Sequence, residues 1–293
     1  TNPAVSLPDS DRVRRALELC EFLVVSDCVR HTDTTAYAQV LLPAQAWGEK
    51  DGTVTNSERR ISRQRAFLPV AGEAQPDWWI VSQVARRMGF AEAFDYAAPA
   101  QIFREHAALS AFGNDGRRDF DIGALASLDA DGYADLQPVQ WPASATGASG
   151  TRPFADGRFF TPDGRARMIP IAGRPPASAV DAVYPLVLNT GRVRDHWHTL
   201  TRTGKSPRLS AHSLEPYAEI HPDDAAQHGL RDGALAVVSS RWGRAVARVR
   251  VSGAQRPGSV FMPIHWSRQF SSLSSVDGLI GPHADPLSGQ PEF

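Results

Sequence analysis

Residues 22–43 read FLVVSDCVRHTDTTAYAQVLLP, two short apolar segments separated by a polar stretch. The first segment is Phe22–Ser26, and the second, Gln39–Leu42, is closed by Pro43. Short apolar segments of this kind are typical of strands buried in a parallel sheet. A strand, a crossover and a second strand indicate an α/β fold. We therefore predict an α/β portion, which we extend over residues 1–112.

Helical patterns flank these two strands. Over residues 9–20 one helical face carries Val13, Ala16, Leu17 and Cys20. A second helix begins at Pro76-Asp77, and its predicted inward residues are Trp78, Val81, Val84, Ala85 and Met88. A third helix is predicted over Pro99–Phe112. Residues 47–65 are polar and contain glycine, so we predict a structured loop there.

The second half of the chain has a different character. Residues 113–183 are irregular and rich in Gly, Pro, Ala, Ser and Asp, which predicts a connector with a boundary near 175–183. Residues 184–293 are predicted to form the last domain. Its strand candidates are Tyr184–Leu188, Tyr217–Ile220, Leu235–Ser239, Ala245–Val251 and Ser259–Ile264. Many short strands joined by tight turns predict a small closed β-barrel.

Composition excludes several classes of protein. The chain has 293 residues, 42% of them apolar and 22% charged, which argues against disorder along its whole length. Lys and Arg number 31 against 32 Asp and Glu, so neither nucleic acid nor an anionic membrane is expected as a partner. No apolar run approaches the roughly 20 residues of a membrane helix. Two cysteines, Cys20 and Cys28, cannot form a disulfide framework or a four-thiolate metal site, so reduced cytoplasm is the simplest location.

Two clusters carry the polar groups of a ligand site. Residues 47–60, WGEKDGTVTNSERR, combine glycines, hydroxyls, an amide and two adjacent arginines. Residues 190–205, TGRVRDHWHTLTRTGK, directly follow a predicted strand and hold three Arg, one Lys, two His and four Thr. Such loops can hold a phosphate or pyrophosphate through backbone N–H groups and arginines. The alternative interpretations are a solvated loop with surface ion pairs and an ordinary basic loop. Ser26-Asp27, at a strand end, adds a position where α/β sheets bind ribose or base edges.

These clusters resemble the molybdopterin oxidoreductase (dimethyl sulfoxide reductase) family, and within it the C-terminal half of the catalytic subunit of assimilatory nitrate reductases. The matching segments are Thr1–Asp9, Val24–Asp27, Leu41–Ala44, Trp47–Arg60, Phe160–Ala166, Asn189–Thr199, Glu219–Ala225 and Pro263–Trp266. Thr201–Lys205 and Asp285–Phe293 are more similar to nitrate reductases than to formate dehydrogenases. The resemblance implies that the last domain is a double-psi β-barrel that binds a molybdopterin dinucleotide, and that the α/β portion is its nucleotide-binding partner.

The resemblance further implies a molybdenum bis(molybdopterin guanine dinucleotide) cofactor. By analogy, Asn2, Ser26 and Asp27 would lie near a guanosine, and residues 49–60 near the body of the cofactor. The residues expected there are Glu49, Gly52, Thr53, Asn56, Arg59 and Arg60. The other side would be lined by Thr190, Gly191, Arg192, Trp197, His198, Thr199 and Thr201, with Gln290 and Phe293 near a pterin. No catalytic residue and no protein ligand to the metal is expected among these residues.

The sequence departs from the family pattern in its cysteines. The family's iron–sulfur motif and its molybdenum-ligating Cys have no counterpart here, because two cysteines cannot hold such a cluster. We therefore expect a fragment that is inactive alone and that works with an N-terminal half carrying the cluster, an electron-donor protein or domain, and nitrate as substrate. The alternatives are a part of another family member, such as a formate dehydrogenase, and a stand-alone non-catalytic cofactor-binding module.

Overall fold

The computed structural model describes residues 2–144 and 152–291 of the chain. The chain forms two units: a first unit of residues 1–25, 29–41 and 173–293, and a second unit of residues 26–28 and 42–172. The helices are α1 Pro3–Ser6, α2 Ser10–Glu18, α3 Asp77–Arg87, α4 Pro99–Ala111, α5 Ala130–Ala134, α6 Pro207–Ser210 and α7 Pro222–Gln227. The strands are β1 Val24–Asp27, β2 Val40–Pro43, β3 Gly52–Thr55, β4 Arg60–Gln64, β5 Val139–Gln140, β6 Val187–Gly191, β7 Tyr217–Ile220, β8 Leu235–Ser239, β9 Arg244–Val251 and β10 Ser259–Pro263.

The first unit is built on a mixed five-stranded sheet with the strand order β6-β10-β7-β9-β8. β10 is parallel to β6 and antiparallel to β7, while β9 is parallel to β7 and antiparallel to β8. Gly191, the last residue of β6, lies opposite Pro263, the last residue of β10. Because the carboxyl ends of parallel strands meet at one edge, the segments that follow β6 and β10 begin side by side.

The predicted strands of this sheet are largely confirmed. β7 and β8 have the predicted bounds, and β9 and β10 differ from them by one residue. The first strand was placed too early at Tyr184–Leu188, because the ladder with β10 extends from Val187 to Gly191. Within the described residues β6 and β8 are the edges of this sheet, so the closed barrel stays a prediction.

Close packing around a glycine shapes the β8–β9 hairpin. Its turn contains Trp242-Gly243, as predicted, and β8 pairs with β9 from Leu235 to Ser239. A Cβ atom on Gly243 would lie 2.2 Å from the carbonyl oxygen of Gly278. Only glycine therefore fits the close approach of these two backbone segments.

The helix α2 lies in the first unit but turns a different face inward from the one predicted. Ser10 and Arg14 are its buried residues, whereas Ala16 and Cys20 are exposed. The backbone N–H of Asp9, just before the helix, donates to the carbonyl oxygen of Ile280 at 3.1 Å. The helix packs against the turn Val276–Leu279, where the charge of the buried Arg14 interacts with the carboxyl group of Asp277.

The two strands predicted around the opening sequence are present as β1 and β2, shifted by one or two residues, and they form a two-stranded sheet. Neither strand is buried on both faces, since Val24 is 44% exposed and Leu41 is 41% exposed. The expectation of fully buried strands is therefore wrong, although the expectation of strands is confirmed.

The second unit corrects the prediction of a structured loop over 47–65. β3 and β4 form an antiparallel hairpin, and β4 also pairs with β5. The turn is closed by Asn56, whose Oδ1 accepts the N–H groups of Glu58 at 2.9 Å and Arg60 at 3.0 Å. The strands are polar because the hairpin lies mostly at the surface, so the sequence lacks the alternation of a half-buried strand.

Two long helices complete the second unit. α4 begins and ends close to its prediction, and it packs with Ile61 in a core of Phe103, Ala107, Ile122 and Tyr133. α3 buries Ser82 and Ala85, but three of its predicted inward residues, Val81, Val84 and Met88, are exposed. Across the described parts of both units, no helix has the length and apolar character needed to cross a membrane.

Candidate functional site

The segment that follows β6, residues 192–205, forms a tightly bent loop, here called the β6 loop. Asp195, His198 and Leu200 have φ angles of 71°, 44° and 63°, in the left-handed region that non-glycine residues rarely adopt. Left-handed residues between ordinary ones build concave arrangements of backbone N–H groups that bind anions. Strained backbone of this kind clusters at functional sites.

Two glycines permit the close packing of the β6 loop. A Cβ atom on Gly191 would lie 3.1 Å from the ring of Phe261, on the neighbouring strand β10. A Cβ atom on Gly204 would lie 2.8 Å from the ring of Phe270. The predicted residues Thr190 and Gly191 close β6, and Arg192, Trp197, His198, Thr199 and Thr201 follow in the loop.

A buried histidine is hydrogen-bonded to the β6 loop at two points. His265, two residues after β10, is fully buried and accepts the Val193 N–H on Nε2 at 2.9 Å. Its Nδ1–H donates to the carbonyl oxygen of His198 at 2.7 Å. Burial lowers the pKa of His265, and the neighbouring His196 and Arg192 lower this pKa further. The hydrogen bond to the carbonyl oxygen of His198 acts in the opposite direction but does not outweigh them. The imidazole is therefore neutral near pH 7, with its proton on Nδ1.

The loop presents donors that no protein group uses. Arg192 makes no hydrogen bond or ion pair with any described residue, and its Cζ lies 4.9 Å from the centre of the Trp197 ring. Within the same described residues, the backbone N–H groups of His198 and Thr199 have no protein acceptor. Burial and the charge of Arg192 lower the pKa of His198. A guanidinium, two backbone donors and an aromatic face suit an anion joined to a planar ring.

The single carboxylate of the loop is already paired. Asp195 accepts from Nε of Arg194 at 2.8 Å and from Nδ1 of His212. These hydrogen bonds hold the pKa of Asp195 below its ordinary value. The negative charge is thus balanced inside the protein and does not oppose an anionic ligand at Arg192.

Asn2 meets the β6 loop across 197 residues of sequence. Its Nδ2 donates to Oγ1 of Thr199 at 3.3 Å, and its Oδ1 accepts the N–H of Thr34 at 3.2 Å. The Asn2 side chain is buried, and Thr34 in turn accepts the N–H of Ala4 at 3.1 Å. The structure therefore brings Asn2 to the predicted loop, where it ties the start of the chain to Thr199.

A basic cavity of about 520 Å³ lies in the same unit. Its lining includes the guanidinium groups of Arg14, Arg30 and Arg268, the buried hydroxyl of Thr32, and the carboxylate of Asp33. Arg14 and Arg268 each donate to the carboxylate of Asp11 at 2.8 Å, so two of these three positive charges are already paired. The sequence does not reveal this cavity, because its arginines come from three distant segments. The buried Arg14 beside the apolar positions of α2 was the available signal.

The predicted residues between 49 and 60 lie in the second unit, on or beside the β3–β4 hairpin. Glu49 accepts the Ala46 N–H at 2.8 Å, Asn56 closes the hairpin turn, and Arg59 donates to the carbonyl oxygen of Trp141. Arg60 lies 3.8 Å from the carboxylate of Glu58. These side chains already serve the hairpin. Gly52 and Thr53 belong to β3, and a Cβ atom on Gly52 would meet nothing within 4 Å.

The remaining predicted residues are dispersed. Ser26 and Asp27 end β1 and are assigned to the second unit. Gln290 is an exposed residue of the first unit, in a turn where its carbonyl oxygen accepts the Asp285 N–H at 2.8 Å. Phe293 lies outside the described residues. In the described part of the chain, no group of three or more His, Cys, Asp and Glu side chains could hold a metal ion.

Comparison with known proteins agrees with this geometry. Residues 1–87 match the family "Molybdopterin oxidoreductase", and residues 186–293 match the "Molydopterin dinucleotide binding domain", which contains the β6 loop. A nitrate reductase from Klebsiella oxytoca is 51% identical over 292 residues, covering 100% of this chain and 33% of the relative. The assimilatory nitrate reductase catalytic subunit of Bacillus subtilis is 34% identical, covering 100% of this chain and 40% of the relative.

Other relatives show the breadth of the family. The alpha subunit of an F420-dependent formate dehydrogenase from Methanocaldococcus jannaschii is 36% identical over 90% of this chain and 37% of the relative. Acetylene hydratase from Pelobacter acetylenicus has the same fold, with a TM-score of 0.76 at 19% identity over 99% of this chain and 41% of that chain. The chain spans about a third to two fifths of the length of its curated relatives. These matches identify a molybdopterin oxidoreductase domain over residues 1–87 and a molybdopterin-dinucleotide-binding domain over residues 186–293, which contains the β6 loop.

Proposed function

We propose that the chain is the cofactor-binding C-terminal part of a molybdenum nitrate reductase that reduces nitrate to nitrite in nitrate assimilation. The observation that carries the proposal is the β6 loop, where Arg192 has no hydrogen-bond or ion-pair partner and two backbone N–H groups have no acceptor among the described residues. The curated relatives named nitrate reductase, at 34% to 51% identity, support nitrate as the substrate of the whole protein.

The described residues fit a molybdopterin guanine dinucleotide. A pyrophosphate needs several donors, and Arg192 with the N–H groups of His198 and Thr199 would supply them without breaking any existing hydrogen bond. The exposed face of Trp197, with Arg192 beside it, suits stacking on a planar base or pterin. The same side of the ligand would also be lined by Thr190, Gly191 and Thr201. Asn2 would hold the β6 loop in position through its hydrogen bond to Thr199.

In the second unit, the β3–β4 hairpin carries the proposed cofactor contacts between residues 49 and 60. It offers the backbone at Gly52 and Thr53, at the start of the edge strand β3, and the guanidinium of Arg60 next to the turn. Glu49, Asn56 and Arg59 would act mainly by keeping the hairpin in shape, since each is already hydrogen-bonded. Ser26, Asp27, Gln290 and Phe293 stay in the proposed set on the strength of the family resemblance alone.

When bound, the molybdenum cofactor supplies the two-electron oxygen-atom transfer from nitrate. The residues of this chain bind and orient it, and the cationic loop stabilises its negative charge. The imidazole of His265 stays neutral, and the carboxylate of Asp195 stays paired with Arg194 and His212. Neither side chain therefore adds an unbalanced charge beside the ligand. No residue of the chain is assigned a proton transfer to the substrate.

The wider assembly is also part of the proposal. Along the chain, an α/β portion over residues 1–112 is followed by a connector over 113–183. The last domain, residues 184–293, would form a double-psi β-barrel. The remaining length of the relatives supports an N-terminal half as partner, with an iron–sulfur cluster and an electron-donor protein or domain completing a cytoplasmic enzyme. Formate oxidation is the second candidate, because formate dehydrogenase subunits match at 32% to 36% identity.

The test uses the protein in its natural length, purified with its cofactor. We expect molybdenum and guanine in fixed proportion, nitrite formation with reduced viologen, and no reduction of viologen by formate. Formate oxidation without nitrite formation would replace the first candidate by the second.

Arg192→Ala tests the loop itself. Loss of a charged hydrogen bond should weaken cofactor retention roughly tenfold to a hundredfold, while the nitrate KM of the loaded fraction stays unchanged. Arg231→Ala, on the exposed surface of the same unit, is the control. A normal molybdenum content with a raised nitrate KM would move Arg192 from the cofactor to the path of the substrate.

A further inference from the structure

His265 joins the two ends of the most bent part of the β6 loop. Its Nε2 accepts from the N–H of Val193, and its Nδ1–H donates to the carbonyl oxygen of His198. A carbonyl oxygen can only accept and a backbone N–H can only donate, so the ring must carry its proton on Nδ1 and none on Nε2. One side chain thereby fixes the distance between residues 193 and 198.

The backbone of the same segment has few other hydrogen bonds. The side chains of Asp195 and His196 anchor its middle, through His212 and the carbonyl oxygen of Ser213, but not its two ends. The N–H of His196 donates to Val193 at a long 3.4 Å, and that of Trp197 donates to Oγ1 of Thr203 at 3.3 Å. Between the two ends lies Asp195 in the left-handed region, and His198 itself is left-handed. Such residues persist only where the surrounding structure holds them in place.

We propose that His265 is a positioning residue, whose neutral imidazole holds the β6 loop in the shape that presents Arg192, Trp197 and Thr199 to the ligand. The identity of that ligand rests on the proposed function, whereas the shape of the loop does not. Parallel pairing of β6 with β10 brings the two segments together, since Gly191 and Pro263 end their strands side by side.

A second proton on the ring would undo this arrangement. Nε2–H would then face the N–H of Val193, and two donors cannot bond to each other. The groups facing His265 add only positive charge or none: His196, with ring centres 5.4 Å apart, Arg192, His198 and the ring of Trp266. Burial and these neighbours lower the pKa of His265 below 6.5. The ordered loop is therefore fully stable above about pH 6.5 and loses stability as the pH falls through the lowered value.

The test measures the protection of the Val193 amide by hydrogen exchange in the natural-length protein, at about pH 8 and about pH 5, corrected for intrinsic exchange. His265→Gln places an amide oxygen near the position of Nε2, so it accepts from Val193 without titrating. His265→Asn reaches only the position of Nδ1 and loses that acceptor. His228→Gln, at an exposed position of the same unit, is the control.

In the wild type we expect the Val193 amide to exchange roughly tenfold faster at the lower pH. His265→Gln should stay protected at both values, and His265→Asn should exchange fast at both, with circular dichroism unchanged in each. Equal protection of the wild type at both values, or an asparagine variant as protected as the wild type, would overturn the positioning role.

Molybdenum content of the same samples separates this proposal from the proposed function. If the loop positions the cofactor, His265→Asn retains several-fold less molybdenum than His265→Gln. If Val193 responds as expected and no sample, wild type included, holds molybdenum, the proposed function fails while the positioning role stands.

Discussion

Asp277 is a largely buried carboxyl group whose replacement by a neutral amide should stabilise the protein at neutral pH. The residue lies in the short turn Val276–Leu279, close to the buried Arg14 of α2. Burial raises the pKa of Asp277 from 3.8 to about 7, against the opposing effect of the Arg14 charge. The folded state therefore keeps a proton on Asp277 that the unfolded chain releases.

The sign and size of the effect follow from linkage. Stability is greatest below about pH 3.8 and falls as the pH rises to about 7, because the unfolded state ionises first. The difference between 3.8 and about 7, at ~1.36 kcal/mol for each pH unit, gives about 4 kcal/mol as an upper value. Asp277→Asn keeps the shape of the protonated acid and does not ionise. Relative to wild type, it should gain up to about 4 kcal/mol between pH 4 and pH 8.

The assay is urea unfolding of wild type and Asp277→Asn across this pH range, followed by tryptophan fluorescence. Asp223→Asn, whose side chain is 88% exposed, is the matched control and should show no comparable trend. A free-energy difference between wild type and Asp277→Asn that stays constant from pH 4 to pH 8 would refute the assignment of a buried, protonated Asp277.

Two further predictions concern packing. Arg63→Met should destabilise the second unit by about 1–3 kcal/mol, because it removes a buried guanidinium that pairs with the partly exposed Asp51 at 2.7 Å and lies 4.0 Å over the Tyr133 ring. Urea unfolding measures the loss of stability, and a loss below that of the exposed pair mutant Arg86→Met would contradict the prediction. Gly243→Ala should cost about 1–3 kcal/mol, because its Cβ would lie 2.2 Å from the Gly278 carbonyl oxygen. Gly253→Ala, with open space around its Cβ, is the control in thermal unfolding, and equal shifts in Tm would refute the steric argument.

The strands of the five-stranded sheet could be predicted because their pattern is local. In β9 the alternate residues Ala245, Ala247 and Val249 are buried, and this period of two is visible in the sequence. The hairpin of β3 and β4 has no such period. Its strands are defined by pairing with each other and with β5, more than 70 residues later, so local pattern predicted a loop.

Which face of a helix turns inward was less predictable. Hydrophobic periodicity identified α3 as a helix, but apolar residues lie on more than one of its sides, and Val81 and Met88 proved exposed. In α2 the buried face depends on the carboxyl group of Asp277, which lies far along the chain and is invisible to local pattern. The helix packs against the segment around Asp277 and Ile280, and a buried Arg14 suits that environment better than Ala16.

The β6 loop shows how far residue types can predict a site. Glycine, arginine and threonine after a strand correctly indicated a donor-rich loop, since these chemical properties belong to the residues themselves. The contacts that give the loop its shape depend on chain topology. Asn2 reaches Thr199 across 197 residues, and His265 reaches Val193 across 72. His265 was visible in sequence only as part of a family signature. Its role follows from the parallel register that ends β6 beside β10, because that register alone places an imidazole between Val193 and His198.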